Sequence, residues 1–252
     1  MSDVSVVAVP YHLDEYLPDL ILPPRADRRR TVVTPELPPG DTWGRLAFLY
    51  ARVAETVAAE PAPVTVLSGD CATALGTVAG LQRAGLSPGI IWLDAHGDVQ
   101  TPETSASGYL AGMSLRLLTG HRPELIAAAL GLRPVPEPGI MLVGARDLDP
   151  PEEAYLAGSA ITTCAVADLE GAPLPEGPLY VHVDMDVVDP AELPGLRYPA
   201  AGGPAMAAVA DAVSLLQETG RVAAIGLACS WLPGAGSAAA AAWVADLLAA
   251  NW

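Results

Sequence analysis

Lysine is absent from the 252 residues, so all 13 basic side chains are arginine, set against 29 acidic ones for a net charge of −16. A chain this short of positive charge does not suit nucleic acid or an anionic membrane as a partner, since both are bound through excess basic side chains. The missing lysine goes with an Ala, Gly, Pro and Arg bias and reads as a compositional habit without functional meaning. Cysteine is scarce as well. Cys71, Cys164 and Cys229 are too few, too scattered and odd in number for a disulfide framework, which points to a reducing cytoplasm. No basic segment precedes the apolar run that starts at Val4, so a signal peptide is not expected. No apolar run reaches the roughly 20 residues that span a bilayer; Ala238 to Ala250 carries Asp246 and reads as a buried helix. Internal repeats and domain-dividing linkers are also missing. With 51% hydrophobic residues the chain has material for a sizeable core, and of one large α/β domain or two small ones, a single domain over 1–252 is the expectation.

What is there is a βαβ rhythm. Val4 to Val9, Val64 to Leu67, Ile90 to Leu93, Ile140 to Val143, Leu179 to Val183 and Val222 to Ala228 are short apolar runs suited to doubly covered strands. Helices are expected between and after them: Trp43 to Ala59 behind the start signal Gly40-Asp41-Thr42, then Thr73 to Ala84, Tyr109 to Leu118, Pro204 to Thr219 and Ser237 to Ala250. This alternation implies a parallel sheet with helices on both faces. The proline-rich stretch from Pro10 to Pro39, with Arg28-Arg29-Arg30 inside it, reads as an irregular surface excursion, and the triplet as a solvated face.

The chain is organised around Ile90-Ile91-Trp92-Leu93-Asp94-Ala95-His96-Gly97-Asp98. An apolar run ends in Asp, His and Asp at every second position, which an extended backbone would turn to one face. Leu179 to Asp186 repeats the device with Asp184 and Asp186. Five such acceptors at strand ends would be costly if buried uncompensated, so a bound cation is the simplest account. Hard oxygen ligands with one imidazole suit Mn²⁺ or a similar divalent ion better than the thiolate-rich sets of structural zinc. His182 shares the parity of Asp184 but lies deeper, which suits a core role or a supporting role behind the ligands. Two ions roughly 3.5–4 Å apart can share a hydroxide that is nucleophilic at neutral pH, pointing to hydrolysis of a carbonyl, amidine or phosphate centre. The acidic loops favour a cationic or polar substrate. The hydroxyl-rich Val99 to Gly108 follows the ligand-bearing strand, where open α/β sheets bind substrates. Asp149, before Pro150, taken alone reads as a helix cap.

These residues resemble the ureohydrolase family of arginase, agmatinase and related amidinohydrolases. Leu93-Asp94-Ala95-His96-Gly97-Asp98 is similar to its first metal signature, Val183-Asp184-Met185-Asp186-Val187-Val188-Asp189-Pro190 to its second, and Ser68-Gly69-Asp70-Cys71 to its Gly-Gly-Asp-His signature. The resemblance runs from about Val64 to Pro233. It implies a three-layer α/β/α domain with a central, mostly parallel sheet, two Mn²⁺ per subunit, a small guanidino substrate and a homo-oligomer. Asp94 and Asp184 would bridge both ions, Asp98 would complete the first with Cys71, and His96 and Asp186 would complete the second. Asp98 would also relay a proton to the leaving amine. Gln100 and Ser107 fall where such enzymes bind a substrate α-carboxylate, Asp149 and Glu152 where they bind its α-amino group.

The departures lie at the reactive end. Cys71 stands in place of a histidine ligand and softens that site, Ala111 in place of a proton-shuttling histidine, and Ser230 in place of a glutamate that meets the guanidinium. A less basic, N-hydroxylated guanidine fits these changes, so the expected reaction is Nω-hydroxy-L-arginine to ornithine and hydroxyurea by attack of the bridging hydroxide, with Ser230 at the reactive end of the substrate. This is the chemistry of the hydroxyarginine amidinohydrolase branch, which the chain resembles through Cys71. The alternatives are an arginase-type or agmatinase-type hydrolase of another substrate, and a non-catalytic binder of an arginine-like metabolite.

Overall fold

The computed structural model describes residues 5–20, 29–229 and 231–232. In chain order the strands are β1 (Ser5–Val9), β2 (Tyr11–His12), β3 (Glu15–Tyr16), β4 (Arg29–Val32), β5 (Val64–Ser68), β6 (Gly89–Leu93), β7 (Ile140–Val143), β8 (Thr162–Cys164), β9 (Leu179–Asp184) and β10 (Val222–Ala228). The helices are α1 (Thr42–Ala59), α2 (Thr73–Arg83), α3 (Ser114–Leu118), α4 (Ala127–Leu130), α5 (Pro150–Gly158) and α6 (Met206–Glu218). Eight strands form one sheet in the order β4-β1-β5-β10-β9-β6-β7-β8, and every pairing in it is parallel. β2 and β3 make a separate small hairpin.

Strand side chains alternate between two cores. Ile90 and Trp92 of β6 join Val64, Val66 and Tyr180 against α1, α2, α3 and α4 on one face. Ile91 and Leu93 join Val181, Val183 and Leu227 against Val209, Val213 and Leu216 of α6 on the other. Burial on both faces explains why these strands read as unbroken apolar runs. The expected three-layer α/β/α architecture is therefore present, with a sheet that is wholly rather than mostly parallel among the described residues. α1 starts where expected, with the Asp41 side chain accepting from Gly44 N at 2.8 Å.

Two expectations need correction. The stretch before α1 is not wholly irregular: Arg29–Val32 is a parallel edge strand, paired Ser5 to Arg29 through Ala8 to Val32. Its β-branched Thr31 and Val32 suit an edge, and the exposed Arg29 reaches toward Glu60 at 3.6 Å. The helix expected from Tyr109 to Leu118 is a 3-10 turn, Ala111–Met113, followed by the short α3. The N–H groups of Leu115 and Arg116 both donate to the carbonyl of Asp98, at 2.9 and 3.1 Å, so the helix start is docked on another loop instead of continuing its own ladder. Ser230, Arg28 and the expected helix over Ser237 to Ala250 lie outside the described residues. No helix among the described residues is long and apolar enough to cross a membrane.

Candidate metal centre and substrate cavity

The centre forms at the carboxyl ends of β5, β6 and β9, the edge where open parallel sheets place their ligands. Register aligns it: Leu93 pairs with Val183, and Asp184 lies level with Ala228, which lies level with Ser68. Asp94 follows the last residue of β6 and still donates its N–H to Val143 O at 3.1 Å. Its Oδ1 accepts from His96 N at 2.7 Å and its Oδ2 from the Trp92 indole at 3.0 Å. Asp184 closes β9; its Oδ1 accepts from Asp186 N at 2.9 Å. Asp186 accepts from Ala95 N at 3.2 Å and faces His96 Nδ1 at 3.1 Å.

The residues expected from the sequence lie together, but the reason they converge is different. Beyond Leu93 and Asp184 the chain is not extended: Asp94, His96 and Asp98 lie in a bent loop, and Asp186 lies in the 3-10 turn Met185–Val187. Asp98 enters with φ at +52°, a left-handed conformation that Asp tolerates better than most residues. Loop curvature, not strand parity, brings the carboxylates together. Gly97 belongs to this turn, since a Cβ there would stand 2.8 Å from Glu152 Oε1.

Crowding of buried carboxylates dominates the electrostatics. Burial, then Asp94 and Asp184, hold the Asp98 carboxyl well above its usual range, and burial, then Asp186 and Asp94, do the same to Asp184. Burial and Asp94 push Asp186 up to about 6. Burial works against a charge on His96, but its hydrogen bonds to Asp186 and Asp94 outweigh it and push the imidazole up to about 12. His96 in turn brings Asp94 below its usual value against the effect of burial.

Cys71 sits in the turn between β5 and α2, with Sγ 2.8 Å from Asp184 Oδ2 and 3.9 Å from Asp94 Oδ2. Burial, then the charges of Asp184, Asp98 and Asp94, push its thiol up. The turn is held by the neighbouring Asp70, which accepts from Leu13 N, Ala72 N and Thr73 N at 2.6, 2.8 and 3.3 Å. Behind the centre, His182 stacks on Trp92 at 3.7 Å between ring centroids and shares its Nδ1 with the Tyr180 hydroxyl at 3.1 Å. Two buried atoms here have no hydrogen-bond partner, Asp98 Oδ2 and His182 Nε2. Donor atoms of Asp94, His96 and Asp186 lie within 4.8 Å of one another, as do those of Cys71, Asp94 and His182. Crowded carboxylates, a thiol and unpartnered buried acceptors are the environment a divalent cation relieves, so the residues present fit a metal centre.

The centre floors a cavity of about 310 Å³ whose lining contains every expected site residue that the structure describes: Cys71, Asp94, His96, Asp98, Gln100, Ser107, Asp149, Glu152, Asp184 and Asp186, with Ala111 beside them. Elsewhere on the cavity wall, Gln100 Nε2 donates to Asp149 Oδ2 at 2.9 Å and Gln100 Oε1 accepts from Thr104 at 2.7 Å. Glu152 closes the first turn of α5 by accepting from Asp149 N at 3.1 Å and reaches Val99 N at 3.3 Å. Asp149 thus belongs to the α5 capping box and to the cavity wall at once. Among the described residues no arginine lines the cavity. Sequence reasoning did not single out Tyr109 and Tyr198, whose rings meet at 4.7 Å on the cavity wall, nor His12, whose ring lies against Tyr109 with Nε2 3.5 Å from its hydroxyl. Single aromatics in loops carry no periodic signal.

A family model described as the arginase family matches residues 30–230. The arginase of Staphylococcus aureus (strain MRSA252) is 31% identical over 176 residues, 64% of this chain and 58% of that protein. The arginase of Neurospora crassa is 32% identical over 200 residues, 70% of this chain and 56% of that protein. The chain thus spans somewhat over half the length of these curated relatives. Among solved structures, Entamoeba histolytica arginase in complex with L-ornithine shares the fold with a TM-score of 0.83 at 19% identity, over 98% of this chain and 97% of that one.

Proposed function

Because the chain belongs to the arginase family, we propose that it is a dimetal amidinohydrolase, cleaving a guanidino C–N bond in a substrate with an amino-acid end. The observation that carries this reading is the single cavity that joins a floor of buried carboxylates to a polar wall of Gln100, Ser107, Asp149 and Glu152. Two divalent ions, Mn²⁺ by the family resemblance, would be held by Asp94 and Asp184 together with Cys71 and Asp98 for one and His96 and Asp186 for the other. Bound there, the ions supply Lewis acidity and a water activated for attack. Asp98, the carboxyl with the unpartnered oxygen, carries a proton to the leaving nitrogen, so that water is divided between the guanidino carbon and the departing amine. Asp149 and Glu152 meet the α-ammonium group, while Gln100 and Ser107 meet the carboxylate with neutral donors.

The substrate is Nω-hydroxy-L-arginine, which yields ornithine and hydroxyurea. A full guanidinium charge buried without a carboxylate costs several kcal/mol. The sequence carries Ser230 where the family resemblance expects glutamate, and Ala111, which lines the cavity, where it expects a proton-shuttling histidine. N-hydroxylation lowers guanidine basicity and adds a polar oxygen that suits both changes. A homo-oligomer is the expected assembly. Comparison of kcat/KM for hydroxyarginine, arginine, agmatine and guanidinobutyrate on Mn²⁺-loaded protein tests the reading. Preference for arginine sinks the hydroxylated substrate, and no turnover of any of the four by protein holding two metal equivalents leaves the non-catalytic binder.

A further inference from the structure

His182 is 1% exposed and its Nε2 has no hydrogen-bond partner. Its ring is fixed from two sides, by the stack on Trp92 and by the Tyr180 hydroxyl at Nδ1. With Nδ1–H donated to the Tyr180 oxygen, the Nε2 lone pair is left free, the arrangement of a metal-bound histidine whose other nitrogen is held by the protein. One donor atom of His182 lies within 4.8 Å of donor atoms of both Cys71 and Asp94. Donors around one tetrahedral ion with bonds of about 2.0–2.3 Å stand roughly 3.3–3.8 Å apart, so a closure of about an ångström seats an ion. Trp92 positions two members of this set, since its indole also donates to Asp94 Oδ2 at 3.0 Å.

We propose that His182 is a direct ligand, through Nε2, of the ion nearest Cys71, making that half of the centre a mixed sulfur, nitrogen and oxygen seat for an ion softer than Mn²⁺, such as Zn²⁺ or Co²⁺. The inference rests on the dimetal reading above. It accounts for the unpartnered nitrogen, which a purely packing histidine leaves unexplained, and it returns an imidazole to a site where the sequence has cysteine. Thiolate together with imidazole shifts preference toward softer ions.

Metal-free protein loaded with Co²⁺ alone reads this out without any turnover. Wild type is expected to bind two equivalents and to show a sulfur-to-cobalt charge-transfer band in the near ultraviolet. His182→Phe keeps a ring on Trp92 and removes the nitrogen; it should lose one equivalent together with most of that band. His182→Gln, smaller and polar, should lose the same equivalent and guards against a packing failure in the first variant. Asp186→Asn should lose the other equivalent and keep the band. Two equivalents with the wild-type spectrum in a folded His182→Phe or His182→Gln protein overturn the inference and leave the dimetal reading standing. Absence of bound Co²⁺ in wild type overturns both.

Discussion

Cys71 Sγ and Asp184 Oδ2 lie 2.8 Å apart, a contact in which a thiol donates to a buried carboxylate. A cation that takes both as ligands must displace that proton, so Cys71 belongs to the metal site only if its removal is felt there. Cys71→Ala should selectively weaken one of two Mn²⁺ sites, whereas Cys71→His should keep or raise Mn²⁺ affinity by substituting a harder donor. Metal equivalents measured by atomic emission after gel filtration decide it. Equal content in wild type and Cys71→Ala takes the cysteine out of the ligand set.

The carboxylates of Asp94, Asp98, Asp184 and Asp186 repel one another in the metal-free protein. Mn²⁺ at about 100 times its Kd should add roughly 2.7 kcal/mol of stability. For a chain of this size that is a rise in Tm of about 5–10 °C, reversed by EDTA. Asp184→Asn removes a carboxyl whose ionisation burial and its neighbours oppose, and keeps an acceptor for Asp186 N. The metal-free variant should therefore melt at or above metal-free wild type, while its Mn²⁺-induced rise shrinks. An undiminished rise would mean that Asp184 is not a ligand.

Asp98 sits at φ +52°, a conformation that asparagine tolerates at least as well as aspartate. Its backbone carbonyl, which receives two N–H groups at the start of α3, is untouched by the change. Asp98→Asn should fold with little loss of Tm yet lose about 10²-fold or more in kcat, the scale of a missing proton-transfer group. KM should stay near wild type. A kcat close to wild type in metal-replete Asp98→Asn would remove Asp98 from proton transfer.

Much of this was legible in the sequence because the signals were local. Ile90 to Leu93 reads as a doubly buried strand from its own composition, and the acidic residues that terminate such runs mark where the candidate site forms. What was not legible depends on register or on loop curvature. Trp92 and His182 are direct cross-strand partners, but only a sheet order that places β9 beside β6 makes them so. The left-handed turn at Asp98 leaves the same aspartate-histidine-aspartate spacing while cancelling the parity argument built on it. Tyr109 and Tyr198 come from loops 89 residues apart and meet only in the folded cavity wall. The edge strand Arg29–Val32 was hidden by flanking prolines and charge.

The last prediction concerns how α5 is held, since its first turn carries Asp149 and Glu152 into the cavity. Glu137 accepts from the Tyr155 hydroxyl at 2.6 Å and from Ala160 N at 3.0 Å, and Arg116 both donates to that hydroxyl at 3.0 Å and lies over the Tyr155 ring at 4.1 Å. The bond from Ala160 N, then that from Tyr155, hold the Glu137 carboxyl below its ordinary 4.5. A carboxyl depressed on folding contributes stability that is fully present above its unfolded value and is lost as pH falls through the lower folded one. Glu137→Gln should therefore melt below wild type at pH 7, by about 1 kcal/mol or less after solvent screening, with the gap closing near the acid end of the titration. Metal content should stay at the wild-type level while KM for an α-amino substrate rises several-fold, because α5 is loosened without touching the ions. A gap in Tm that persists unchanged into acid would show that the Glu137 charge is not what holds α5 in place.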